Sequence, residues 1–128
     1  MKLQNLRLGC NDLDKARAFY DATFGALGVE RTQMPPEYPI AMYKLPGGPN
    51  FAVGPTRDKQ PATHANGGTI GFACDSAEKV KAFHDAGVAN GGKTIEDPPG
   101  WREGGGARLY LSYLRDPYGN KICALHRG

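Results

Sequence analysis

Apolar and polar positions alternate with two periods along this chain, and the two periods take turns. Residues Leu3 to Cys10 alternate with period two, with Leu6, Leu8 and Cys10 on one face and Asn5, Arg7 and Gly9 on the other. The spacing then changes. Leu13, Ala16, Phe19, Tyr20 and Phe24 recur at three- and four-residue steps, which predicts a helix capped by Asn11 or Asp12 and ended by Gly25 and Gly28. Three further strands are predicted at about Val29–Gln33, Ile40–Leu45 and Phe51–Val53, separated by Pro35, Pro36, Pro46, Gly47, Gly48 and Pro49. The stretch Gly54–Gly67 is polar and aperiodic.

The pattern then starts again. Strand Thr69–Cys74 leads through Asp75 or Ser76 into a helix reaching about Ala89, with Val80, Phe83 and Val88 as its buried stripe and Asp75 with Glu78 in capping-box spacing. Superposing Leu6–Gly28 on Ile70–Gly92, an offset of 64 residues, pairs 7 identities in 23 positions without a gap: Cys10/Cys74, Lys15/Lys79, Ala18/Ala82, Phe19/Phe83, Asp21/Asp85, Ala22/Ala86 and Gly28/Gly92. A short strand, Lys93–Glu96, follows, then DPPGWREGGG, which reads as a flexible loop. The chain closes on a hairpin, Arg108–His126, around Asp-Pro-Tyr-Gly-Asn. If Arg115 faces Asn120, then Leu109, Leu111, Ile122 and Ala124 form its apolar face, and Arg108, Tyr110, Ser112 and Cys123 its polar one. Each half therefore reads β-α-β-β-β. The fold class is α+β: one domain over residues 1–128, with a first module to about 54, a linker over 55–67 and a second module from about 68.

Composition narrows the function classes. At 128 residues the chain holds one core, and its formal charge of +3 comes from scattered basic residues, so nucleic acid is not an expected partner. No apolar run approaches the ~18 residues of a membrane span, and MKLQNLRLGC lacks a signal peptide's apolar core, so the expected setting is cytoplasmic. Three cysteines without a CxxC pair are expected to be reduced thiols.

The segments DLDKARAFYDATFGALG, TIGFACDSAEKVKAFHDA and YLRDPYGNKI resemble the vicinal-oxygen-chelate superfamily, which includes glyoxalase I, bleomycin- and fosfomycin-resistance proteins and extradiol dioxygenases. The resemblance spans nearly the whole chain. It implies paired βαβββ modules forming a partly open, curled sheet around a cleft, and a homodimer. Metal-binding members hold a divalent ion with two histidines and a glutamate; these positions fall here on Asn5, Thr69 and Cys123. Neutral Asn and Thr with one thiol are a poor divalent donor set, so no metal and no other cofactor is expected.

The candidate site follows. Asn5, Thr69 and Cys123 line the former ligand position, either as hydrogen-bonding groups or as packing. Arg7 and Arg108 are candidates for gripping an anionic group, Tyr110 and Ser112 for lining the cleft, and Trp101 for covering it. Cys123 is the one candidate nucleophile, lacking a neighbouring base; Glu103 is a candidate acid–base group. Cys10 and Cys74 read as core. His64, His84 and His126 have no ligand spacing. The expected function is binding of a small organic, and preferably anionic, molecule without the metal triad. The alternative is a metal-dependent or acid–base lyase, isomerase or dioxygenase, similar to lactoylglutathione lyase. A purely structural dimer with a plugged cleft is a third reading.

Overall fold

A computed structural model describes the whole chain, Met1–Gly128. Its elements run β1 (Asn5–Gly9), α1 (Leu13–Gly25), β2 (Arg31–Thr32), β3 (Ala41–Lys44), β4 (Asn50–Gly54), β5 (Ile70–Ala73), α2 (Ala77–Ala89), β6 (Lys93–Gly104), β7 (Ala107–Arg115) and β8 (Lys121–Arg127). The strands form two four-stranded mixed sheets, ordered β1-β4-β3-β2 and β5-β8-β7-β6, and no closed barrel. In each sheet the strand before the helix runs parallel to the last strand of its module: β1 beside β4, β5 beside β8. Each helix lies against one face of its own sheet. The opposite, helix-free face of each sheet carries no helix.

Asp12 caps α1, accepting from the backbone N–H groups of Asp14 and Lys15, while Asn11 instead accepts from the Ala62 N–H of the linker at 2.8 Å. Ser76 caps α2 through Lys79 N–H, so the expected Asp75–Glu78 capping box does not form; the Asp75 carboxylate pairs with the Lys79 ammonium. The buried stripe of α2 is Val80, Phe83, His84 and Gly87, and Val88 stands exposed. The reason is contact distance: a Cβ at Gly87 would stand 2.4 Å from Leu114 Cδ1, so only glycine lets α2 approach β7 here. The core is continuous across both modules. Phe24 of α1 meets Phe72 of β5 edge-to-face at 5.2 Å, and Phe51 of β4 meets Phe72 at 5.7 Å.

Two expectations about the second module need correction. The segment read as a flexible loop, DPPGWREGGG, belongs almost entirely to β6, which pairs with β7 on both sides of a bulge. The closing hairpin is also shifted by one residue. Asp116, not Arg115, meets Asn120: Asp116 N–H donates to Asn120 O at 2.9 Å, and the Asp116 carboxylate accepts from Asn120 N–H and the Asn120 side-chain amide. Arg115 therefore faces Lys121, and Tyr113 faces Cys123. The faces of β7 exchange: Tyr110, Ser112 and Leu114 turn toward α2, and Leu109, Leu111 and Tyr113 turn to the helix-free side. Ile122 and Ala124 of β8 stay in the core as expected.

The same turn ties the modules together. Tyr20 of α1, fully buried, donates its hydroxyl to Asp116 Oδ2 at 2.7 Å, and the Asn120 amide also reaches Gly9 O at 3.3 Å. Tyr20→Phe removes one donor from a buried carboxylate and is expected to cost about 1–3 kcal/mol in urea unfolding; an unchanged midpoint contradicts this tie.

Burial and then the Asp116 charge hold the Tyr20 hydroxyl well above its usual range, and burial with the Asp21 hydrogen bond does the same for Tyr43. Burial also pushes up the thiols of Cys10, Cys74 and Cys123. These groups fold neutral and lose their protons more readily when unfolded. Their contribution is complete below the unfolded values, roughly 8.5 for a thiol and 10 for a phenol, and is lost as pH rises toward the folded ones. Stability is expected to fall above about pH 8, and to fall less steeply above about pH 10 in the double variant Tyr20→Phe/Tyr43→Phe. Equal slopes for the two proteins contradict the assignment.

Candidate functional site

The chemistry-bearing groups of this chain meet on the helix-free face of the second sheet. Tyr113, Cys123 and Gly71 stand in one cross-strand row, and Leu111, Leu125 and Ala73 in the next. Gly71 makes the row possible. A Cβ there would lie 3.1 Å from Cys123 Sγ and 3.2 Å from Leu125 Cδ2, so the thiol fills the space above glycine and Cys123 is buried. One step toward the turn, the Lys121 ammonium lies 4.9 Å from the Tyr113 ring centroid and pairs with the Glu96 carboxylate.

Glu96 arrives by way of the bulge. Ile95 faces Tyr113 and Gly100 faces Leu111, so the four residues Glu96–Pro99 stand against Ser112 alone. Glu96 adopts φ +59°, a left-handed conformation that an L side chain resists. Arg102 pins the bulge from within, donating to Pro98 O at 2.7 Å, Gly100 O at 3.1 Å and Leu111 O at 2.7 Å. Its guanidinium is thereby committed to backbone. Burial pushes the Cys123 thiol up; Lys121 pulls it part of the way back, and Glu96 adds to the rise. Cys123 is thus a protonated thiol at neutral pH, not an activated nucleophile.

The expected residues are divided among three places. Cys123 lies on the helix-free face of the second sheet, and Thr69, exposed one residue before β5, falls on the same side by alternation. Asn5 and Arg7 lie on β1, an edge strand of the other sheet, which makes no ladder with β5. Arg7 donates to Pro55 O at 2.7 Å and so holds the linker.

Arg108, Tyr110 and Ser112 fall on the opposite, helix-side face of the second sheet because of the one-residue shift in register, and Trp101, on β6 opposite Tyr110, joins them. There Trp101 meets Tyr110 edge-to-face at 5.4 Å and His126 at 6.4 Å, under the Arg108 guanidinium at 4.2 Å. Trp101 therefore packs over the end of this sheet rather than covering a cleft, and Arg108 stacks on it instead of pairing with its cross-strand neighbour Glu103. Ser112 is fully buried, and its Oγ, like His84 Nδ1, has no partner. His126 Nδ1 donates to Cys74 O at 2.9 Å, and His64 packs beside Gly119.

Sequence reasoning missed Glu96, Tyr113 and Lys121. Lys121 was readable, since it lies two residues before Cys123 and shares its face. Tyr113 needed the correct register, and Glu96 needed the bulge.

No group of three His, Cys, Asp or Glu side chains gathers anywhere in the chain. The three positions of the former metal site offer an amide, a hydroxyl and a protonated thiol split between two sheets, which does not fit a divalent ion. A cleft of about 360 Å³ opens at the seam between modules, walled by Phe24, Leu27, Leu45 and Lys79 and, from β5, by Gly71 and Ala73. It therefore adjoins the edge of the helix-free face.

Paired βαβββ modules with an open, helix-free sheet face define the class to which this architecture belongs. The family model of the Glyoxalase/Bleomycin resistance protein/Dioxygenase superfamily matches residues 2–124, and the chain belongs to that superfamily. Among solved structures, a glyoxalase/bleomycin resistance protein from Albidiferax ferrireducens T118 is 49% identical over 98% of both chains, with a TM-score of 0.90. A glyoxalase/bleomycin resistance protein/dioxygenase family enzyme from Burkholderia phytofirmans PsJN shares the fold at 17% identity over 98% of both chains, with a TM-score of 0.71. Lactoylglutathione lyase from Agrobacterium tumefaciens does so at 20% identity, over 97% of this chain and 92% of that one, with a TM-score of 0.63. No curated protein matches the sequence. No helix is long and apolar enough to cross a membrane.

Iodoacetamide at pH 7.5 is expected to modify Cys123 of the native protein no faster than global unfolding permits; rapid labelling of the folded protein contradicts a buried, protonated thiol.

Proposed function

We propose that this protein binds a small organic molecule on the helix-free face of its second sheet, without a divalent metal. The observation that carries the reading is the gathering of Glu96, Lys121, Tyr113 and Cys123 on one open face beside Leu111 and Leu125. A partly buried ammonium next to an aromatic ring and aliphatic side chains supplies one polar anchor and an apolar bed, the usual composition of a small-molecule site. The seam cleft at the edge of this face has the volume of such a site.

The ligand preference is anionic, because the Lys121 ammonium is already matched to a carboxylate, one that belongs to the chain itself. Neutral donors at Asn5 and Thr69, with a protonated thiol at Cys123, support a role without the metal-assisted lyase, isomerase and dioxygenase steps. An acid–base enzyme is the second reading, favoured by one feature: the Glu96 carboxylate and the Lys121 ammonium lie together beside Tyr113, a base and an acid within reach of a bound substrate.

A homodimer is part of the proposal, and three free thiols suit a reducing, cytoplasmic setting.

Metal analysis of the purified protein, with calorimetric titration of Zn²⁺, Ni²⁺ and Mn²⁺, is expected to find no stoichiometric tight ion. Sedimentation is expected to find a dimer, and a thermal-shift screen of small acids should raise Tm. Tight metal at one ion per chain, with turnover of a hemithioacetal or catechol, would favour the enzyme reading over this one.

A further inference from the structure

The Lys121–Glu96 pair differs from every other ion pair in the chain. Arg17–Asp14, Lys79–Asp75 and Lys81–Asp85 are one-turn pairs on helix surfaces, and Arg31–Asp21 joins β2 to α1. Lys121–Glu96 alone joins two strands and alone lies on a helix-free sheet face. Its cation is also the least exposed of the set, at 26%.

Two guanidiniums of this sheet are committed to backbone oxygens, Arg102 to three carbonyls and Arg115 to Gly119 O at 2.7 Å, and a third, Arg108, stacks on Trp101. Lys121 is held by a side chain instead. That side chain is half exposed and springs from the one non-glycine strand residue with a positive φ. The other two non-glycine positions with positive φ, Lys59 and Ala65, lie in the linker. Glu96 thus reaches Lys121 from a bulge with little ladder of its own, through a backbone conformation that gains nothing locally.

We propose that Lys121 is the anchor for the carboxylate of a small organic acid, and that Glu96 is an internal stand-in which the ligand displaces. This deepens the reading that the helix-free face of the second sheet holds the ligand, and rests on it. The incoming carboxylate takes the ammonium, and the ligand's apolar part lies on Tyr113, Leu111 and Leu125. The released Glu96 turns to solvent, where a half-exposed carboxylate is readily hydrated. Keeping the ammonium paired until a ligand arrives spares the protein an unpaired, partly desolvated cation. It also sets a threshold: a neutral molecule of the same shape offers nothing in exchange for the broken pair, so the site discriminates by charge.

The test is a titration of ¹⁵N-labelled protein with benzoate, and separately with benzamide, in wild type, Glu96→Gln and Lys121→Gln. Benzoate is expected to shift the amides of Glu96, Tyr113, Lys121 and Cys123 saturably. Glu96→Gln removes the competing charge and should tighten benzoate several-fold. Lys121→Gln should weaken it about tenfold or more, as loss of a charge-assisted bond does. Benzamide should bind weakly to all three proteins.

Unchanged or weaker benzoate binding in Glu96→Gln overturns the proposal, and this arm stands even if Lys121→Gln fails to fold. Equal affinities in all three proteins, with shifts still on this face, remove the anchor while leaving the binding face in place. No saturable shift on this face in any of them overturns both.

Discussion

The Asp116 carboxylate is the constraint on which the rest of the structure depends. It is buried, and it accepts from the Tyr20 hydroxyl, the backbone N–H groups of Tyr118 and Asn120, and the Asn120 side-chain amide. A buried carboxylate is tolerable only when its oxygens are satisfied in this way. Two of its consequences are separable. Through Tyr20 it joins α1 of the first module to the closing hairpin of the second. Through Asn120 it closes the turn one residue nearer the tip than simple strand counting suggests. The second consequence decides the chemistry, because a one-residue shift of β7 determines which side chains share a face with Cys123.

That shift converts the closing hairpin from one kind of site into another. With Tyr113 rather than Ser112 opposite Cys123, the row holds a ring over which Lys121 can lie, and the Glu96 pair completes it. The bulge in β6 supplies Glu96, and Arg102 keeps the bulge shut by giving its guanidinium to three backbone oxygens. This face carries the Lys121 ammonium, the Glu96 carboxylate paired with it and a thiol kept protonated by burial.

Much of the fold was legible in the sequence. The 64-residue repeat and the shift between two- and three-to-four-residue periods located both helices and most strands, because these patterns report directly which face is buried. Where the reading failed, a tertiary partner overrode the local signal. Val88 matched the helical stripe, yet Gly87 took the buried place because Leu114 presses on the helix there. DPPGWREGGG carries every loop signal, yet Arg102 stitches it into a strand. Placing Arg108, Tyr110 and Ser112 in the site depended on a register that the Asp116 side chain sets, and no pattern of apolar residues encodes that bond; placing Trp101 there depended on reading its strand as a loop. Cys123 falls on the face opposite Ile122 and Ala124, which follows from the alternation of β8 alone and needs no register.

The most direct measurement is a crystal structure of the protein grown with benzoate. The account predicts its carboxylate at the Lys121 ammonium, its ring against Tyr113, and the Glu96 side chain turned away to solvent. Benzoate bound instead beside Trp101 and Tyr110 on the opposite face, or an ion held among Asn5, Thr69 and Cys123, would contradict it.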